Sequence, residues 1–233
     1  MNDTVSGCRD ELKRYLRNRY SEGHVILYRM DRGEADAVMK TSPAQIDSKG
    51  MAELMEEVGR CRRCPLCETR TNTVFGDGNP RAKVVFVGEA PGKDEDLQGV
   101  PFVGKAGKLL DKIIASVGFS REDVYIANIL KCRPPGNRDP QEPEVNACEG
   151  FLARQIEIIS PVLICALGRI AAQNLLKTTA SLKTLREGIH YYNDTRLLVT
   201  YHPAALLRNP EYKRPTWEDM KLLRRLYDEE TSG

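Results

Sequence analysis

No apolar run in the 233-residue sequence approaches the roughly 18 residues of a helical membrane span, so a transmembrane reading is excluded. The 13 prolines and 18 glycines follow no period, which excludes collagen-like and low-complexity classes. Neither sign of charge dominates: 35 Lys and Arg face 33 Asp and Glu, for a net charge of +2 and a pI near 8.1. That lies below the pI of about 9 that marks an electrostatic nucleic-acid footprint, so contact with DNA or RNA must rest on local sites. Seven cysteines in the chain are too few for a small disulfide scaffold. The opening MNDTVSGCRDELKRY lacks the apolar core of a secretory signal, so an intracellular, reducing compartment (cytoplasmic) is expected. There is no internal repeat. With 41% hydrophobic and 29% charged residues, the composition is that of a soluble, folded chain.

Two regions differ in pattern. Residues 1–50 carry nine basic and eight acidic residues, too balanced for a basic DNA-binding arm. Leu12, Tyr15, Leu16, Arg19 and Tyr20 have helical spacing, HVILYRM has the pattern of a short strand, and TSPAQIDSKG (41–50) reads as a turn-rich linker. This segment is read as an accessory element docking on the body, with a partner-binding tail as the alternative. From residue 51 to 233 the pattern is regular. Four apolar runs (84–87, 124–130, 162–167 and 197–201) alternate with helical patterns, the last from about Trp217 to Tyr227. Strands alternating with helices predict an α/β fold, a parallel sheet flanked by helices on both faces. Ligands then bind beyond the carboxyl ends of the strands. The segments there are GEAPGKDED, ILKCRPPGNRDP, ALGRIAA and YHPAALLRNP, three of them rich in Gly, Pro and polar residues.

Cys61, Cys64 and Cys67 form C-x2-C-x2-C, and Cys132 and Cys148 are separated by 15 residues. Thiolates at that spacing can chelate one centre, either a structural zinc or an iron–sulfur cluster, with the triplet leaning toward the cluster. Cys8 and Cys165 read as inert, Cys165 lying inside a buried strand pattern. GEAPGKDED carries acids at 89, 94, 95 and 96 and no Walker Lys-Ser/Thr, which excludes a triphosphate site; carboxylates at a strand end can instead orient a water. In YHPAALLRNP a His follows a buried strand, and two leucines beside an Arg have the make-up of an apolar wedge flanked by a cation, as base-unstacking proteins use.

Taken together these segments closely resemble the iron–sulfur (family 4, type A) uracil-DNA glycosylases. The matching pieces are CRRCPL with RTNTVFGDGNP, FVGEAPGKDEDLQGVPFVGKAGKLLD, VYIANILKCRPPGNRDPQEPEVNAC, VLICALGRIAAQNLL and LLVTYHPAALLRNP, over about residues 51–227. The resemblance implies the three-layer fold of that family, with a central four-stranded parallel sheet. It also implies a 4Fe–4S cluster on Cys61, Cys64, Cys132 and Cys148, with Cys67 an extra thiol that the family does not require.

The implied activity is hydrolysis of the N-glycosidic bond of a flipped-out deoxyuridine in single- or double-stranded DNA, by a monomer, leaving an abasic site for base excision repair. In that scheme Phe102 stacks on the base, and Asn128 reads O4 and N3–H, whose polarity cytosine reverses. His202 meets O2 as charge builds there, and Glu89 orients the water. Glu95 crowds the C5 position or assists the water. The backbone from Gly88 through Ala90 to Gly92 lines the pocket. Leu206 is the wedge and Arg208 a phosphate contact. Two rival readings are a relative that traps uracil-DNA covalently and an iron–sulfur redox protein. The first uses a His-containing insertion that KCRPPGNRDP lacks, and the second leaves Asn128 and His202 unexplained.

Overall fold

The computed structural model describes residues 43–232. Helix α1 (Pro43–Gly59) leads through α2 (Leu66–Thr69) to a six-stranded sheet: β1 (Asp77–Gly78), β2 (Val84–Gly88), β3 (Tyr125–Asn128), β4 (Leu163–Leu167), β5 (His190–Tyr192) and β6 (Thr195–Thr200). The sheet order is β1-β3-β2-β4-β6-β5. The four inner strands are parallel, while β1 and β5 pair antiparallel at the two edges. Between the strands lie α3 (Lys93–Gln98), α4 (Lys105–Ser116), α5 (Glu142–Ile159), α6 (Arg169–Leu176) and α7 (Leu182–Arg186); α8 (Pro203–Arg208) and α9 (Lys213–Thr231) follow β6.

The inner strands are apolar over most of their length because both faces are covered. Val85, Val87, Ala127, Ile164, Ala166 and Val199 point into one core layer, which α1, α5 and α6 seal. Val84, Phe86, Ile126, Cys165 and Leu198 point into the other, under α4 and α9. Alternation along each strand thus builds two cores from one sheet. Helix α5 starts at a capping box, in which Gln141 caps the first turn and the Glu144 carboxylate accepts from the Gln141 amide at 2.9 Å. The end of β6 is locked from α9: Asp219 accepts from Thr200 Oγ1 at 2.6 Å and from Arg186 at 2.9 and 3.0 Å.

Three expectations change. The sheet has two more strands than the four apolar runs predict, because β1 and β5 are two- and three-residue edges with no run of their own. The turn-rich linker expected over 41–50 is helix from Pro43, and α1 runs across the 50/51 boundary. Proline suits a first helical turn, where its missing N–H has no partner to lose. The helical and strand patterns assigned before residue 42, and Cys8, lie outside the described residues. Among the described residues no helix is long and apolar enough to cross a membrane.

Candidate active site and cysteine cluster

A cavity of about 380 Å³ opens beyond the carboxyl ends of β2, β3 and β6, where the parallel sheet predicts it. Glu89, Ala90 and Gly92 enter it from the β2 loop, Asn128 from the end of β3, Phe102 from the turn before α4, and His202 from the residue before α8. The β2 loop is fixed against β3 by its carbonyls: Gly88 O accepts from Ile129 N at 3.0 Å and Glu89 O from Leu130 N at 3.1 Å. Gly88 itself lies behind the wall. A Cβ there would stand 2.4 Å from Asn128 Oδ1 and 2.6 Å from Phe102 Cζ, so only glycine lets those two side chains close on the strand end.

Each polar group has a definable state. Asn128 is buried, and its Oδ1 is the one buried side-chain oxygen or nitrogen among the described residues without a hydrogen-bond partner. His202 caps α8, its Nδ1 accepting from Ala204 N at 3.1 Å. An accepting Nδ1 leaves the proton on Nε2, so the neutral ring keeps a donor. Burial, and then the Arg208 cation, push its pKa down to about 4, so the ring stays neutral at physiological pH. Phe102 packs against it with ring centroids 5.5 Å apart. Burial, and then the charge of Asp139, raise Glu89 to about 7, against the opposing pull of Arg169. Arg169 in turn pairs with Asp139 at 3.0 Å. Sequence reasoning assigns no role to Asp139 or Arg169. The only available signal was their position in strand-end loops, the first in PPGNRDP.

Two candidates stand differently from expectation. Leu206 is 1% exposed, so it is a core residue and cannot be the wedge; its neighbour Leu207 is 49% exposed. Successive helical residues point about 100° apart, and in α8 this turns Leu206 to the body and Leu207 outward. Arg208 is exposed and lines the cavity. Glu95 also lines the cavity, but its Oε1 is committed to a turn, accepting from Val103 N and Gly104 N, both at 2.9 Å.

On another part of the molecule Cys61, Cys64, Cys67, Cys132 and Cys148 line one small cavity together with Arg70, Lys131 and Phe151. Among the described residues no group of three or more His, Cys, Asp or Glu side chains is already arranged to hold a metal ion. Two N–H donors nonetheless point at the sulfurs. Arg70 Nη1 donates to Cys132 Sγ at 3.1 Å and the Lys131 amide to Cys148 Sγ at 3.3 Å. As free thiols Cys64, Cys132 and Cys148 stay protonated, since burial raises Cys64 and Cys132 and lifts Cys148 to about 11. Cys165 is fully buried in β4, away from this set.

Comparison with known proteins gives a family. Residues 75–221 match the model of the uracil DNA glycosylase superfamily. The chain is 46% identical to the type-4 uracil-DNA glycosylase of Archaeoglobus fulgidus, over 74% of this chain and 91% of the relative. It is 45% identical to that of Sulfurisphaera tokodaii, over 76% and 84%, and 46% identical to that of Saccharolobus solfataricus, over 72% and 82%.

Proposed function

The chain belongs to the uracil-DNA glycosylase superfamily, and we propose from that membership that it hydrolyses the N-glycosidic bond of deoxyuridine in DNA, releasing uracil and leaving an abasic site for repair. The observation that carries the reading is the unpartnered Asn128 Oδ1, buried in a cavity whose other groups suit a uracil ring. A buried acceptor without a donor is costly, and N3–H of uracil is the donor it lacks; cytosine has no hydrogen at N3.

The remaining roles follow from the states of the side chains. Phe102 stacks on the extruded base. Neutral His202 donates from Nε2 to O2, where negative charge gathers as the C1′–N1 bond breaks and its electron pair leaves with the base. Glu89, ionised, orients the water that adds to C1′ and takes up the proton the water sheds. Leu207 fills the vacated stack in a duplex, and Arg208 meets a phosphate. Glu95 serves the turn that carries Phe102.

Cys61, Cys64, Cys132 and Cys148 would hold a 4Fe–4S cluster, and a cavity of thiols with N–H donors aimed at two of the sulfurs fits thiolate ligation. When bound, the cluster supplies a four-point tie between segments distant in sequence, with no part in the hydrolysis. Cys67 lines the same cavity as a fifth thiol.

An excision assay tests the function. A uracil-containing oligonucleotide should be cut only after alkali treatment, and its thymine counterpart not at all. Intact uracil strands after incubation with cluster-loaded protein would refute it, and a protein–DNA adduct on a denaturing gel would replace turnover with covalent capture.

A further inference from the structure

Phe102 has a backbone angle of φ 55°, in the left-handed region that a non-glycine residue occupies at a cost. A strained residue persists only when its surroundings over-determine it, and here they do so from both sides. The amides that follow, Val103 N and Gly104 N, are held by Glu95 Oε1. The carbonyls of the two peptides flanking it are held by Arg121, whose Nη1 donates to Phe102 O at 3.2 Å and whose Nη2 donates to Pro101 O. The same guanidinium is anchored by two carboxylates, Asp77 on β1 and Asp111 on α4, each at 3.0 Å. It is a quarter exposed and sits on a turn that Ser120 and Asp123 close by hydrogen bonds of 2.7 Å. Helix α4 completes the enclosure: a Cβ on Gly107 would stand 1.8 Å from Phe102 O, so the helix backbone lies directly against the carbonyl that Arg121 grips.

We propose that Arg121 is a positioning residue for base recognition: its fork on the 101 and 102 carbonyls holds Phe102 in the left-handed conformation that presents the ring to the cavity. The proposal rests on the excision reading above. The guanidinium is planar and carries five donors, so it can hold two carbonyls and two carboxylates at once, which an ammonium cannot. Without it, the turn relaxes to the broad allowed region and must be re-ordered each time a base enters. That loss falls on binding and spares the chemical step.

The test compares the wild type with Arg121→Met on a uracil oligonucleotide, and repeats the comparison in a Phe102→Ala background. Arg121→Met should raise KM roughly tenfold, the cost of re-ordering one strained residue, with kcat within about twofold. In the Phe102→Ala background the same substitution should change KM by less than about twofold, because nothing remains to be positioned. Arg121→Lys should fall between wild type and Arg121→Met. Hydrogen exchange supplies a readout free of catalysis: the Val103 and Gly104 amides should exchange faster in both Arg121 variants. An unchanged KM in folded Arg121→Met, or an equal loss with and without the Phe102 ring, would overturn the proposal. So would unchanged exchange at Val103 and Gly104. If Arg121→Met does not fold, Arg121→Lys carries the same three comparisons. A wild type that releases no uracil would refute the excision reading itself, and the positioning role with it.

Discussion

The unpaired oxygen of Asn128 costs about 1–3 kcal/mol until a donor meets it, and in the proposed role this makes the residue a discriminator as well as a contact. Asn128→Asp should lower uracil excision roughly ten- to a hundredfold, because an ionised carboxylate cannot donate to O4. Parallel assays on uracil and cytosine oligonucleotides would measure both the loss and the relaxed selectivity. Glu89 gives a prediction in pH. In the proposed role its active form is the carboxylate, and burial raises it to about 7, so activity should rise with pH through about 7 and fall below it. His202, held near 4, is already neutral across that range and adds no limb of its own. Asp139→Asn removes a charge that raises Glu89 and should move the limb to lower pH. Arg169→Met removes one that lowers it and should move the limb to higher pH, which kcat/KM against pH would record. Gly88→Ala, whose methyl would overlap Asn128 Oδ1 and the Phe102 ring, should abolish most excision. At this scale the places of the candidate residues were legible from the strand ends, while their roles, and Phe102 altogether, came from the family resemblance. Asn128, His202 and Glu89 each sit at a strand end, and a strand end can be read from an apolar run. Arg121 escapes notice because it lies 19 residues from Phe102 in sequence, and no spacing joins a cation to a carbonyl across that gap.

Helix α8 shows how much depends on the phase of a short element. Leu206→Ala should cost about 2–5 kcal/mol of stability as a core cavity, measured by denaturant unfolding, with little bias between substrates. Leu207→Ala should leave stability within about 0.5 kcal/mol and weaken excision from duplex more than from single strands, since only the duplex needs its stack filled. Equal loss on both substrates would remove the wedge role. Two adjacent leucines are indistinguishable in a sequence until the start of the helix is known, and that start is set by a hydrogen bond between His202 and Ala204. The four inner strands could be read because burial on both faces makes them continuous apolar runs. The edges β1 and β5 could not, being too short to carry a pattern. Helix α1 has its start signal in Pro43, which the surrounding Ser, Thr and Gly of the segment obscured.

Across the whole molecule the five clustered cysteines bring the segment from Cys61 to Cys67 beside the loop after β3 and α5. Cys148→Ser should remove the broad visible absorbance of a cluster and lower Tm by about 10 °C or more, with absorbance and calorimetry as the two measurements. Composition alone points to neither the cysteine cavity nor the cavity at the strand ends: a net charge of +2 says nothing about where Arg208 stands. The cavity, finally, is assembled from residues 89, 102, 128 and 202, which come together only when β2, β3 and β6 share one sheet. On the ribosome this imposes an order. A nascent chain that has already emerged through residues 89, 102 and 128 still lacks residue 202, so the cavity cannot be completed before the last inner strand is in place.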